Sequence, residues 1–160
     1  TLDINTKSDL VLFSESFQYV NIRKSFEKIP LLLNDNGKLL ICDFFRQPGT
    51  GTKPLGGGHD WKVFQDHLNS FPFNNILDID ITRETARTYD LIDKIINDVA
   101  LPVRDLSSTY LSSQYPKGMR LLKWFFRKKI NRMNRIYFKG NMKGEMFNKL
   151  KTYRILLYDI

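Results

Sequence analysis

Asp9-Leu10-Val11-Leu12-Phe13-Ser14-Glu15-Ser16-Phe17-Gln18-Tyr19-Val20 is the stretch on which the reading of the chain turns. Residues 10–13 form a short apolar run between polar residues. That is the pattern of a strand buried on both faces, as in a parallel sheet. The run stops at Ser14-Glu15-Ser16, polar residues that suit a turn or a helix start. In open α/β sheets, ligands sit just beyond the carboxyl ends of the strands. Residues 13–18 are therefore expected at such an edge. Taken alone, the same stretch also reads as a core strand that runs into a loop.

The residues after Val20 give the strand its context. Ile22, Phe26, Ile29 and Leu33 recur at i, i+4, i+7 and i+11, one apolar face of a helix over residues 21–33. Pro30 is expected to kink or end it. Asn34-Asp35-Asn36-Gly37 is a turn signal, and residues 38–45 hold a second apolar run that reaches Asp43. Strand, helix, turn and strand make a βαβ unit, the building block of parallel sheets.

Residues 46–58 read as a mobile flap containing Pro48, Gly49, Gly51, Pro54 and Gly56-Gly57-Gly58. The glycines lack the spacing and the lysine of a phosphate loop. His59 or Asp60 is expected to cap a helix carrying Trp61, Phe64 and Leu68. Residues 75–81 alternate, which places Asp78 and Asp80 on one face of a strand. Paired carboxylates bind metal or do acid–base work, but an edge strand with a solvated face is the simpler account of them. Thr82 opens a helical stretch that Pro102 is expected to break. A second helix spans residues 103–113, a short one residues 145–151, and residues 153–158 are a last strand.

Composition narrows the functional classes. The chain has 160 residues, 42% hydrophobic and 26% charged, which suits one globular domain. Cys42 is its one cysteine. An intrachain disulfide and a cysteine-based zinc site are excluded, and a reducing cytoplasm is the expected compartment. The net charge of +8 points to phosphate-bearing partners. Residues 117–143 hold ten Lys and Arg and no Asp or Glu, with Met119, Leu122, Phe126, Ile130, Met133 and Tyr137 at helical spacing. Trp124, Phe125, Ile136 and Phe138 widen that stripe. Three readings fit this basic amphipathic helix: packing on its own domain, peripheral contact with an anionic membrane, and a nucleic-acid stripe. The aromatics lie in one block rather than as spaced stacking platforms, so nucleic acid is not expected as a partner.

In this order the elements resemble the C-terminal half of a class I S-adenosylmethionine-dependent methyltransferase. That family has a seven-stranded, mostly parallel Rossmann-like sheet whose antiparallel last strand lies between the fifth and sixth. Asp9-Leu10-Val11-Leu12-Phe13-Ser14-Glu15 resembles the fourth strand, and Gly37-Lys38-Leu39-Leu40-Ile41-Cys42-Asp43 the fifth. Residues 76–81 and 153–158 then stand as the sixth and seventh. The likeness is greatest to small-molecule members with a helical lid, through Gly56-Gly57-Gly58-His59, Asp80-Ile81-Thr82 and Thr85-Ala86. Residues 1–81 and 145–160 would form the sheet core, and residues 82–144 a lid inserted before the last strand.

The resemblance implies methyl transfer from S-adenosyl-L-methionine to a small, hydrophobic or lipid-like acceptor. It puts Phe13, Ser14, Gln18 and Tyr19 at the cofactor, with no metal. His59, after the glycine flap, is the candidate catalytic base or else a surface residue at a helix start. Asp43 binds the acceptor or caps its loop, and Tyr89 and Asp90 are further acceptor candidates. Many relatives have Glu-His where this chain has Gln18-Tyr19. The family's glycine-rich first motif and its ribose-binding acid are absent from the chain, which begins at Thr1 almost directly with a buried-type strand. It is therefore expected to be the later part of a longer domain, with residues 1–4 following the third strand. The alternative is a non-catalytic α/β interaction domain that binds anionic lipid or nucleic acid through its basic helix.

Overall fold

The computed structural model describes residues 7–50, 55–137 and 143–160. Expectations for residues 1–4, for Gly51 and Pro54 and for Phe138 lie outside the described residues. The chain divides into two compact units, Thr1–Glu84 with Asn148–Ile160, and Thr85–Phe147.

In the first unit, β1 (Ser8–Ser14) runs parallel to β2 (Leu33–Arg46). It is not buried on both faces as its apolar run suggests: Val11 and Phe13 pack on the core, while Leu10 and Leu12 on the other face are exposed. β4 (Lys151–Asp159) enters between β2 and β3 (Asn74–Asp80), antiparallel to both. The order across the sheet is β1-β2-β4-β3. Alternation along β2 buries Leu39, Ile41, Asp43 and Phe45 on one face. α1 (Ile22–Leu32) adds Ile22, Phe26 and Ile29 to that face, and α2 (Trp61–Leu68) adds Phe64. Phe17 is fully buried among Phe13, Phe26 and Phe64, with ring centroids 5.2–5.8 Å away.

Local chemistry explains the boundaries. The Asn21 side chain accepts from the Lys24 amide at 3.0 Å and starts α1. Pro30 falls in the last turn, and the helix continues only to Leu32. The Asn34–Gly37 turn lies within β2 rather than before it. Ser8 pairs with Leu33 and Leu10 with Lys38, so the residues between bulge out, with Asn36 left-handed at φ 65°. Asp60, not His59, caps α2, accepting from the amides of Lys62 and Val63.

Asp78 and Asp80 share a face, as the alternation requires. Their partner is Arg154, at 2.9 and 3.2 Å. Burial pushes the Asp80 carboxyl up, but hydrogen bonds from Thr82 and the Arg154 charge outweigh it and leave it below its ordinary value. The pair thus joins β3 to β4 across the sheet.

The second unit is helical: most of α3 (Thr82–Ile95), a π turn at Ile96–Ala100, α4 (Leu101–Gln114), α5 (Pro116–Phe125), α6 (Arg127–Tyr137) and the start of α7 (Gly144–Leu150). Pro102 does not break the helical course. It sits in the first turn of α4, where its missing N–H costs no helical bond, and the π turn precedes it. Residues 117–143, expected as one helix, include two, separated at Phe126, whose backbone leaves the helical range at φ −92°, ψ 9°. Among the described residues no helix is long and apolar enough to cross a membrane.

Candidate functional site

At the carboxyl end of β1 and β2 the chain turns sharply. Glu15 adopts φ 49°, which a non-glycine residue rarely does. Its amide donates to the Cys42 carbonyl at 2.9 Å, so the turn is anchored to the neighbouring strand. A 3-10 turn at Phe17–Tyr19 follows. Gln18 and Tyr19 belong to this turn and not to α1, which begins three residues beyond Tyr19.

Asp43 organises the edge from beneath. It is 1% exposed, and its carboxylate accepts from the amides of Gln18 at 3.0 Å and Phe44 at 2.8 Å. Burial raises its carboxyl above the ordinary value, although these donors work against the shift. The sequence offers Asp43 as an acceptor-binding residue or as a cap for its loop. In the structure its oxygens hold the turn that presents Gln18. Asp43→Asn is expected to leave one of those buried amides unpaired. The cost is about 1–3 kcal/mol, read as a lower urea midpoint at unchanged m-value.

The Gln18 side chain faces Asp43 at 3.5 Å on one side and accepts from the Gly58 amide at 3.3 Å on the other. The flap read as mobile is, over its described end, tied down. Arg46 Nε donates to the Gly58 carbonyl at 2.9 Å, and the Arg46 amide to the His59 carbonyl at 2.8 Å. Lys151, 1% exposed, donates to the carbonyls of Gly56 at 3.2 Å and Gly57 at 2.5 Å. Gly58 has φ +74°, and a Cβ there would meet the Phe44 carbonyl at 2.9 Å, so this close approach needs glycine.

His59 Nε2 lies 3.0 Å from the Phe17 carbonyl. A carbonyl only accepts, so Nε2 carries a proton, and in the neutral imidazole Nδ1 is the nitrogen with the lone pair. Gln18, Tyr19 and His59 line one surface hollow with His67 and the first turn of α1. Ser14 is exposed at the strand end, whereas the Phe13 ring turns into the core against Phe17. The structure thus brings Phe13, Ser14, Gln18, Tyr19, Asp43 and His59 to one end of the sheet. Tyr89 and Asp90 lie in the second unit. Tyr89 stacks on Phe147 at 4.3 Å, and Asp90 accepts from the Gly144 amide at 2.8 Å, so both brace α3 against α7.

Sequence reasoning missed a polar chain at the same edge. Tyr153 donates to the Glu15 carboxylate at 2.8 Å, and the Cys42 thiol lies 3.7 Å from the Tyr153 hydroxyl. Burial, then the Glu15 hydrogen bond, pushes the Tyr153 hydroxyl well above its ordinary value, so it stays protonated. Lys151 was missed too. Its place beside Thr152 and Tyr153 at the start of an apolar strand is the available signal, because alternation sends one of two neighbours inward.

The sheet, with an antiparallel strand set between a parallel pair and an outer strand, defines the class: a mixed α/β fold shared with methyltransferases of known structure. Sequence comparison alone does not reach them, since no family model and no curated protein matches the chain. Three solved structures represent the likeness. A Galdieria sulphuraria protein described as a sarcosine dimethylglycine methyltransferase matches with TM-score 0.54 at 12% identity, over 96% of this chain and 53% of that one. The mycolic acid cyclopropane synthase CmaA1, solved with SAH and CTAB, gives 0.56 at 13%, over 99% and 57%. The O-methyltransferase of a trans-AT PKS multienzyme from Brevibacillus brevis, in complex with S-adenosyl-L-homocysteine, gives 0.51 at 14%, over 96% and 44%. The chain spans about half the length of the structures it resembles.

Proposed function

We propose that the chain is the C-terminal half of a class I methyltransferase sheet and takes part in methyl transfer from S-adenosyl-L-methionine to a small, hydrophobic or lipid-like acceptor. The strand order β1-β2-β4-β3 carries this reading. In support, among the described residues β1 pairs only with β2. Leu10 and Leu12 are also exposed on the sheet face opposite α1 and α2. A free edge and an uncovered apolar face are where further strands and helices would pack.

The residues at the sheet edge fit one end of the cofactor. Ser14 lies open at the strand end, and Gln18 and Tyr19 share the adjoining hollow. Nothing in this chain replaces the glycine-rich motif or the ribose-binding acid. When bound, the cofactor supplies an electrophilic methyl group. The protein then has to align the acceptor and exclude water. His59 takes the acceptor's proton at Nδ1, while its bond to Phe17 fixes the ring. Asp43 holds the turn that carries Gln18. Residues 82–144 serve as the lid.

Calorimetry with S-adenosyl-L-methionine on the full-length protein tests the reading. Saturable binding is expected, with the 160-residue chain binding far more weakly, and a full-length protein that binds none sinks it. With an acceptor in hand, His59→Ala should lower kcat by about 10²–10⁴-fold at unchanged cofactor affinity.

A further inference from the structure

α5 carries apolar side chains on two of its sides. Met119, Leu122, Ile130 and Met133 line a hollow among α4, α5 and α6. Met119 is half-buried there, whereas Leu122, Ile130 and Met133 stay 50%, 36% and 46% exposed along its open lining. A second stripe lies outside the hollow. Leu121, Trp124 and Phe125, at i, i+3 and i+4 on α5, are 67%, 71% and 73% exposed. Three large apolar side chains on adjacent positions make a patch, not scattered surface residues.

The charge around this patch has one sign. Residues 117–143 carry no carboxylate. Among the described residues, none of Lys117, Arg120, Lys123, Arg127 or Lys128 pairs with an acid elsewhere. Lys117 and Arg120, four residues before Leu121 and Trp124 on α5, flank the patch, whereas Lys123 and Arg127 line the hollow. An exposed indole and phenyl ringed by unpaired cations complement a surface that is apolar below and anionic above. Nucleic acid fits less well. Phe125 packs edge-to-face on Phe126 at 5.1 Å, so the rings are not separate platforms for successive bases.

We propose that α5 and the start of α6 dock on an anionic lipid bilayer. Leu121, Trp124 and Phe125 enter the boundary between headgroups and acyl chains, and Lys117, Arg120 and Lys128 meet the lipid phosphates. This inference is independent of the methyl-transfer reading, because its test reads binding and not turnover.

The chain has two tryptophans. Trp61 is stacked on Phe64 in the other unit, so Trp61→Phe leaves Trp124 as the single indole reporter. The probes are phosphatidylcholine vesicles, alone or with about one-quarter phosphatidylglycerol. Mixed vesicles should shift Trp124 emission to the blue and bind the protein in co-sedimentation, and added salt should weaken both. Trp124→Ala with Phe125→Ala, and separately Lys117→Glu with Arg120→Glu and Lys128→Glu, should each reduce binding about tenfold or more with unchanged circular dichroism. Failure to bind mixed vesicles overturns the proposal. So does equal binding to the two vesicle types, binding without a Trp124 shift, or a shift produced by single-stranded oligonucleotide and not by vesicles.

Discussion

Phe17→Ala is expected to cost about 3–5 kcal/mol, enough to unfold most of a marginally stable unit. Phe17 is fully buried and touches four rings: Phe13 from β1, Phe26 from α1, Phe64 from α2, and His59 at 5.5 Å. Removing the phenyl group loses its transfer energy and opens a cavity bordered by three elements and the loop that carries His59. They cannot all move inward at once. The backbone of the same residue holds His59, so the site should loosen with the core. Urea denaturation followed by near-ultraviolet circular dichroism checks this. A loss below about 1 kcal/mol would mean that the aromatic cluster repacks freely and that Phe17 is not its centre.

Lys151→Met is expected to remove a pH dependence. Burial and then the neighbouring Arg46 charge push the Lys151 amine down to about 8 from 10.5. Two glycine carbonyls and the Phe44 ring, 4.8 Å from Nζ, offset only part of the desolvation. The folded protein therefore holds this proton less tightly than the unfolded chain. Between pH 8 and 10.5 the unfolded state carries more of it, so stability from this group rises with pH. Below pH 8 both states are protonated and the full penalty stands. The stability of the natural protein relative to Lys151→Met should thus improve by about 2–3 kcal/mol from pH 7 to pH 10. Parallel urea series for the two proteins measure the difference, in which the other titrating groups cancel. A flat difference would show that Lys151 is solvated in the folded state.

Much of the fold was legible because the first unit obeys local rules. The Leu10–Phe13 run, the 3.6-residue spacing of Ile22, Phe26 and Ile29, and the alternation around Asp78 each name their own element. The errors arose where tertiary context overrode a local signal. Pro102 is tolerated because it falls in a first turn, and the basic stripe breaks at Phe126 although its periodicity continues across. At the site, the positions of Ser14, Gln18 and His59 followed from strand ends and a glycine-rich loop. The use of Asp43 and Lys151 did not. Whether a side chain is free or already satisfied depends on what other segments bring to it, and spacing carries no information about that.

The Gln18 joint has a kinetic consequence. Its bonds reach Asp43 and Gly58, 25 and 40 residues along the chain, and the Tyr153–Glu15 bond spans 138. Such contacts stabilise the chain only after long loops have closed. In folding, the Gly58 and Tyr153 bonds at this end of the sheet are completed after α1 and the β1–β2 pair, whose partners, like Gln18 and Asp43, lie only 25–28 residues apart. On partial opening the same end comes apart first, while the aromatic core beneath it stays closed.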